Sequence, residues 1–297
     1  MPISFGNVNL GILCLSVIMI AHMAHKVKSA HFPLAFLAEV CYNKEHPTIR
    51  SDYMHDIRFL SGNALKIIAA ITMLIDHIGV ILYPTNMLLR IIGRLSMPLF
   101  AFMLAEGARY TKNKRRHLLL LFSVALICQI GLYIGTRLVM MSILVTFTIA
   151  LILIYLLDRV KQALLSRESG RAERIFFSVI FLLACFAAWL FCDYFSVDYG
   201  FLGCMLPVFA ALFDMHRIPN APPSLRRLDT LPIRILTMFV CLILLSVELG
   251  TLQFYSLLTL PLLLLYSGKR GRVRMKYFFY IFYPTHLVVL YGIALFL

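Results

Sequence analysis

Two histidines and an aspartate lie within otherwise apolar stretches of this chain. Asp76 and His77 are adjacent in ITMLIDHIGVILYP (residues 71–84), and His286 lies in YFFYIFYPTHLVVLYG (277–292). Histidine is the side chain that takes up and releases a proton near neutral pH without a large shift of its pKa. Two histidines at similar depth, with an acid next to one of them, therefore indicate a proton-transfer centre.

Few other polar side chains lie within apolar stretches. Arg94 and Glu106 belong to LLRIIGRLSMPLFAFMLAEGARYTKN (88–113), while Gln129 and Gln253 are uncharged. An ionisable group at the centre of a membrane helix costs about 2.5–3.5 kcal/mol, so such a residue indicates function by default. The alternative is an internal ion pair that fixes how the helices pack, and the sequence leaves both interpretations open.

The spacing of the cations relative to His77 suggests a shared surface. Lys66 and His77 are separated by almost three turns of helix, which places both on one helix face with a rise of about 16 Å between them. Arg90 and Arg94 are stacked one turn apart on the following segment. We expect these faces to line a cleft that opens on the side of Lys66.

The elements that must position these residues are membrane helices. Of the 297 residues 61% are hydrophobic and 14% are charged, whereas a soluble domain carries about 25% charged residues. Apolar blocks of roughly 15–22 residues, about the length of a spanning helix, cover 7–24, 65–83, 87–108, 117–136, 138–157, 175–192, 199–213, 232–248, 252–266 and 277–296. Because backbone polar groups in lipid must be paired within the segment, we predict an all-α, polytopic integral membrane protein with about 9–10 transmembrane helices.

Lysine and arginine follow an alternating pattern along the chain. The net charge is +14, and most basic residues fall in every second connection, at 25–66, 109–116, 159–174, 217–234 and 269–276. The positive-inside rule places these loops in the cytoplasm, where they meet membrane lipid or an anionic ligand. This distribution argues against a nucleic-acid partner. The seven cysteines are scattered without a Cys-x-x-Cys motif, so neither a disulfide framework nor a metal site is predicted.

Four stretches together resemble the TraX family, which is named for the F-pilin acetylase of conjugative plasmids. They are LKIIAAITMLIDHIGVILYP (65–84), IIGRLSMPLFAFMLAEGARYTKN (91–113), VDYGFLGCMLPV (197–208) and KYFFYIFYPTHLVVLYGI (276–293). The likeness runs from about residue 61 to the C-terminus. We therefore divide the chain into an N-terminal extension with one extra hydrophobic helix (1–60) and a TraX-like membrane acyltransferase domain (61–297). The wider transmembrane acyltransferases also carry a basic residue before an intramembrane histidine, as Lys66 and His77 stand here.

The resemblance implies acetyl transfer from cytoplasmic acetyl-CoA, across the bacterial inner membrane, to an extracytoplasmic acceptor. A pilin N-terminal amine, a surface glycan hydroxyl and a small amine all remain open as acceptors. The implied catalytic residues are His77, Asp76, Arg94, Glu106 and His286, with His77 as general base or acyl carrier. Acyl-CoA binding is assigned to Lys66, Arg90, Arg109, Thr111, Lys112, Asn113 and Arg115, because lysine and arginine pair well with phosphates.

Two other functions fit the same residues. Buried histidine and charged side chains also suit a proton-coupled membrane transporter, although no internal repeat is visible. A non-catalytic membrane scaffold would use the buried charges only to lock helix packing. Binding of coenzyme A distinguishes the acyltransferase from both.

Overall fold

A computed structural model of the protein describes residues 58–137, 141–166, 169–218, 221–272 and 277–296. These residues form helices joined by short connections, and among them pairing of the β type is limited to two isolated bridges. The α-helices are α1 (Gly62–Ile81), α2 (Met87–Gly93), α3 (Ser96–Tyr110), α4 (Lys114–Thr136), α5 (Ile143–Leu165), α6 (Arg171–Tyr194), α7 (Gly200–Ala211), α8 (Pro223–Arg226), α9 (Leu231–Leu249), α10 (Thr259–Leu264) and α11 (Phe278–Ala294). A 3₁₀ helix, Thr251–Leu258, precedes α10. The predicted all-α fold is confirmed.

The described residues contain six helical segments long and apolar enough to cross a membrane. They are Gly62–Ile81, Met87–Tyr110, Lys114–Gly135, Ile143–Leu165, Arg171–Tyr194 and Leu231–Leu249, with shorter apolar helices at Gly200–Ala211, Thr251–Leu264 and Phe278–Ala294. Each apolar block predicted between residues 65 and 296 coincides with one of these segments. The protein is thus a multi-pass membrane protein. The predicted first block, 7–24, lies outside the described residues, and the domain division at residue 60 stays a prediction.

The shortest of these segments, α7, occupies the interior of the bundle. Nearly all of its residues are buried, and it packs against α3, α5, α6 and α9. By contrast, α4 and α6 expose large apolar side chains along their lengths, including Leu119, Ile127, Phe176 and Leu183. Lipid tails are as apolar as leucine, so α4 and α6 are suited to the lipid-facing rim.

The second membrane span is interrupted between α2 and α3. Arg94 and Leu95 form a turn there, and Pro98 follows in the first turn of α3, where its missing N–H leaves no helical hydrogen bond unmade. On the preceding helix, a Cβ added to Gly79 would lie 2.8 Å from the Leu89 Cβ. Glycine at this position therefore allows α1 and α2 to approach closely, which brings the cations of α2 against α1.

The two ends of the bundle differ in their connections. The end that carries the loops 111–113, 212–230 and 267–272 is called the basic end, and the other end carries 82–86 and 195–199. At the basic end, the carbonyls of Lys269 and Arg270 accept hydrogen bonds from the first N–H groups of α1, at 2.8 and 3.0 Å. Those donors would otherwise lack a helical partner. The connection from α7 to α9, described at 212–218 and 221–230, contains its own apolar cluster of Met215, Ile218, Ala221 and Leu225.

Candidate active site

His77 and His286 meet between α1 and α11. Their ring centroids are 4.9 Å apart at an interplanar angle of 70°, and His286 Nε2 lies 3.3 Å from His77 Nδ1. His77 Nδ1 is also 2.8 Å from the Met73 carbonyl, and His286 Nδ1 is 2.9 Å from the Phe282 carbonyl. A carbonyl only accepts, so each Nδ1 carries a proton, and the bare His286 Nε2 accepts a second, longer bond from His77.

This assignment leaves the Nε2 lone pair of His77 available for chemistry. No hydrogen bond from the described residues to that nitrogen is present, and the His77 ring is only partly buried. His286 is 5% exposed, and the Phe282 ring stacks on it at 5.1 Å and 13°. One histidine is thus fixed as a buried support, and the other presents a base.

Lys66 and His77 face the same neighbour, as their spacing predicts. The Lys66 ammonium lies 5.7 Å from the centroid of the Phe279 ring, and His77 touches His286. Phe279 and His286 are themselves two turns apart on α11. One face of α1, here called the stripe, therefore carries a cation near the basic end and an imidazole near the opposite end.

Asp76 turns away from its neighbour and holds two arginines of the interrupted span. Its carboxylate accepts from Arg90 Nη1 at 2.9 Å and from Arg94 Nη2 at 3.2 and 3.3 Å. Consecutive helix residues point about 100° apart, so Asp76 binds the arginines while His77 binds α11. The ion pair fixes the Arg94 side chain beside the site.

A glycine makes this ion pair possible. A Cβ added to Gly93 would lie 2.1 Å from Asp76 Oδ1 and 2.3 Å from the Asp76 Cβ, far inside van der Waals contact. The aspartate consequently occupies the space that a side chain at position 93 would fill.

Arg94 connects the ion pair to two further elements. Its Nη1 donates to Gln253 Oε1 at 3.4 Å and lies 3.5 Å from the Tyr199 hydroxyl. Tyr199 has a positive φ of 61° and caps α7. Its neighbour Asp198 is reached by solvent, yet the surrounding protein desolvates the carboxyl and raises its pKa to about 6, against the opposing effect of Arg94.

Three buried donors in this region have no partner among the described residues. They are Arg94 Nε, Gln253 Nε2 and Ser256 Oγ, and Gln253 and Ser256 are 2% and 0% exposed. An unsatisfied buried donor costs about 1–3 kcal/mol, so groups of this kind usually bind a water, an ion or a substrate.

Glu106, a predicted catalytic residue, lies away from the histidine pair. Its carboxylate is paired with Arg234 and accepts a hydrogen bond of 2.8 Å from the Tyr266 hydroxyl. Glu106 lies about 18 Å beyond Arg94 along the span, by helix rise. It is therefore not brought together with the histidine pair.

The predicted acyl-CoA residues also separate into groups. Arg90 belongs with Asp76, whereas Arg109 is at the basic end between Asp214 and Asp229, at 3.1 and 2.5 Å. Asn113 caps α4 by accepting from the Arg116 N–H. The Thr111 carbonyl accepts from Arg217.

Three of the predicted phosphate ligands keep positions suited to that role. Lys112 and Arg115 are exposed at the basic end, and Lys66 lies near the same end of α1. Arg109, with two carboxylate partners, instead anchors the loop 212–230. In the described residues, no group of three histidine, cysteine or acidic side chains is placed to hold a metal ion.

Sequence reasoning missed the 3₁₀ helix as part of the site. Gln253 stood out as a polar residue in an apolar block, but Ser256 and Thr259 did not. In a 3₁₀ helix residues three apart are eclipsed, so Gln253 and Ser256 share one face, which Thr259 continues at the start of α10. All three residues are buried. A period of three in polar residues was the available signal.

Comparison with known proteins gives the family. The family model described as TraX protein matches residues 61–294. The probable fimbrial assembly protein FimC, serogroup H1, of Dichelobacter nodosus is 29% identical over 260 residues, which are 80% of this chain and 97% of the relative. An uncharacterized protein of Rickettsia prowazekii (strain Madrid E) is 50% identical over 52 residues, 18% of this chain and 21% of that protein. No solved structure matches. Because the family match extends over most of the chain and includes both histidines of the site, this protein belongs to the TraX family.

Proposed function

We propose that this protein is a membrane-embedded acyltransferase that moves an acetyl group from cytoplasmic acetyl-CoA to an extracytoplasmic acceptor. The observation that carries the proposal is the histidine pair, in which His77 keeps a bare Nε2 and its other nitrogen is fixed by a carbonyl and by His286. A membrane-buried imidazole held in one tautomer is suited to general base catalysis.

The arrangement along α1 supports a donor that arrives from the basic end. The phosphates of acetyl-CoA would meet Lys66, Lys112 and Arg115, since lysine and arginine bind phosphate oxygens. The thioester would extend along the stripe towards His77. The basic loops would face the cytoplasm by the positive-inside rule, which is where acetyl-CoA is supplied.

The chemical step uses His77 as a proton carrier. His77 Nε2 takes a proton from the acceptor amine or hydroxyl as that group attacks the thioester carbonyl carbon. The carbon–sulfur bond then breaks, and the coenzyme A thiolate receives the proton from the imidazolium. His286 stabilises the ring orientation, and Arg94 supplies positive charge near the carbonyl oxygen.

The choice of acceptor is based on what the related proteins are named for, because the arrangement of the site residues does not identify it. The Dichelobacter nodosus relative is named as a probable fimbrial assembly protein, and TraX is associated with pilin acetylation. A pilin N-terminal amine is therefore the proposed acceptor, and a surface glycan hydroxyl is the second.

Coenzyme A binding tests the donor. A ligand at one hundred times its Kd stabilises the native state by about 2.7 kcal/mol, so coenzyme A should raise the Tm of the purified protein in detergent. Lys66→Met should weaken this shift, while Arg137→Gln, which removes an exposed cation at the opposite end, should not. A wild-type protein whose Tm coenzyme A leaves unchanged would contradict the acyltransferase and leave the transporter and the scaffold.

Product analysis tests the transfer itself. Intact mass spectrometry of surface proteins and glycans, with and without this gene, should show one acetyl group missing from the acceptor in the deletion strain. Identical masses in both strains would contradict the proposed function.

A further inference from the structure

The turn between α2 and α3 faces a row of polar side chains on the 3₁₀ helix. Gln253 and Ser256 share one face because they are three residues apart, and Thr259 continues it at the start of α10. Thr259 Oγ1 donates to the Leu95 carbonyl at 3.4 Å, and Gln253 Oε1 accepts from Arg94 Nη1 at 3.4 Å. The row is therefore attached at both ends to the interruption of the second span.

The middle of this row is polar and unpaired. Gln253 Nε2, Ser256 Oγ and Arg94 Nε have no partner among the described residues. Gln253 and Ser256 are both more than nine-tenths buried. All three groups can donate a hydrogen bond, so together they match an oxygen atom with free lone pairs.

Through Arg94 and Asp76, the row is connected to the helix that carries His77. Asp76 fixes Arg94 at 3.2 Å, and Asp76 and His77 have neighbouring Cα atoms, about 3.8 Å apart. The guanidinium charge favours an oxygen that becomes negative during the reaction over one that stays neutral. In acyl transfer that atom is the carbonyl oxygen of the attacked thioester.

We propose that Gln253 and Ser256, together with Arg94, bind the oxyanion of the tetrahedral intermediate. This inference rests on the proposed acyl transfer. As the acceptor attacks, the carbonyl π electrons move onto oxygen, and the three donors stabilise that charge. When the carbon–sulfur bond breaks, the carbonyl re-forms and the hydrogen bonds weaken. Gln253 and Ser256 are thereby catalytic residues on an element separate from the histidines.

Isosteric substitution of Gln253 separates this role from a structural one. Gln253→Glu preserves size and strengthens the contact with Arg94, so a purely structural role would tolerate it. A carboxylate would, however, repel the developing oxyanion. The probe reaction is coenzyme A release from acetyl-CoA with hydroxylamine as acceptor, catalysed by the full-length protein in detergent. We expect kcat to fall about 100-fold or more for both Gln253→Glu and Ser256→Ala, because removal of one oxyanion donor costs roughly 10²–10³ in kcat.

A matched serine provides the control. Ser246 is as deeply buried as Ser256, but its hydroxyl donates to the Leu242 carbonyl of its own helix at 2.7 Å. Ser246→Ala should retain wild-type kcat. The Tm shift with coenzyme A should be preserved in all three variants, which shows that each is folded and binds the donor. If Gln253→Glu does not fold, Gln253→Ala and Ser256→Ala decide the question.

The outcomes are distinct. A fall in kcat with unchanged KM for acetyl-CoA and hydroxylamine supports oxyanion binding. A rise in the KM for hydroxylamine with unchanged kcat overturns it and assigns the row to acceptor binding. Wild-type kinetics in Gln253→Glu and Ser256→Ala also overturn it, with acyl transfer intact. A wild-type protein that releases no coenzyme A refutes the proposed function itself.

Discussion

The two polar regions of this membrane protein are built from the same residue types but differ in which side chains keep an unpaired donor. At the basic end, Arg109 lies between Asp214 and Asp229. The buried Lys161 ammonium donates to the Ala211 and Asp214 carbonyls at 2.7 and 3.1 Å. These contacts tie residues 212–218 and 221–230 to the helices. Two buried donors there, Arg109 Nε and Arg234 Nη2, have no partner among the described residues, but both belong to arginines that already bind a carboxylate.

At the histidine site, unpaired donors also occur on neutral side chains. Asp76 binds both Arg90 and Arg94, but Gln253 Nε2, Ser256 Oγ and Arg94 Nε have no partner among the described residues, and His77 retains a bare Nε2. In low-dielectric surroundings an unpaired polar group is expensive. Under the proposed function, the polar groups of the basic end serve structure and those of the histidine site serve chemistry.

Removal of His77, the proposed base, should have the largest effect on turnover. His77→Ala should lower turnover by about 10²–10⁴-fold, the range that a general base contributes, with membrane insertion and the Tm shift by coenzyme A preserved. The matched control is His216→Ala, since His216 is an exposed histidine of the basic end that packs on Tyr110. Near-normal turnover in a well-expressed His77→Ala protein would remove His77 from the mechanism.

Glu106 tests the other half of the comparison. Glu106→Gln leaves the buried Arg234 without its counter-charge, and removal of one partner of a buried ion pair costs about 3–5 kcal/mol. We expect a lower Tm but unchanged kcat per folded molecule, measured at a temperature well below the transition. A fall in kcat with unchanged Tm would place Glu106 in the chemistry and contradict the division between the two regions.

The sequence predicted the components of the site better than their arrangement. The periodicity of the apolar blocks predicted the helices, because length and hydrophobicity alone determine which segments can span lipid. The spacing of Lys66 and His77 predicted their common face, because both lie on one uninterrupted helix. Contacts within a single helix follow from 3.6 residues per turn.

Contacts between helices could not be predicted in this way. Whether Glu106 meets Arg94 or Arg234 depends on which helices are neighbours, and the chain separation from Glu106 to Arg234 carries no signal of that. The role of Arg109 was equally hidden, since a cation at the end of a span suits a phosphate or an aspartate alike. Only the structure shows that Asp214 and Asp229 are the partners of Arg109.

A substitution that disturbs the close packing at Gly93 should have a smaller effect on stability and turnover. Gly93→Ala would force a methyl group onto the Asp76 carboxylate, so the Asp76–Arg94 pair must shift. We expect both Tm and kcat to decrease. Gly131→Ala on α4 is the control, because an added Cβ there meets nothing within 4 Å, and alanine in a helix is about 0.5–1 kcal/mol more favourable than glycine. A Gly93→Ala protein with wild-type kcat would show that the chemistry tolerates displacement of the ion pair.

Substitution of Asp198 should have the smallest effect, a change in Tm that depends on pH. The folded-state pKa of this carboxyl is about 6, above the value of about 3.9 in an unfolded chain. The folded state therefore binds more protons than the unfolded state between these values, and the contribution of Asp198 to stability is lost as the pH rises through about 6.

An asparagine side chain cannot titrate, so Asp198→Asn should match the wild-type Tm near pH 4 and exceed it by a few degrees at pH 8. Because Asp198 is exposed to solvent, water screens the carboxylate and the gain stays small. A Tm difference that is constant across this range would show that the carboxyl does not feel the desolvated surroundings of Arg94 and Tyr199, and would place the loop 195–199 outside the site.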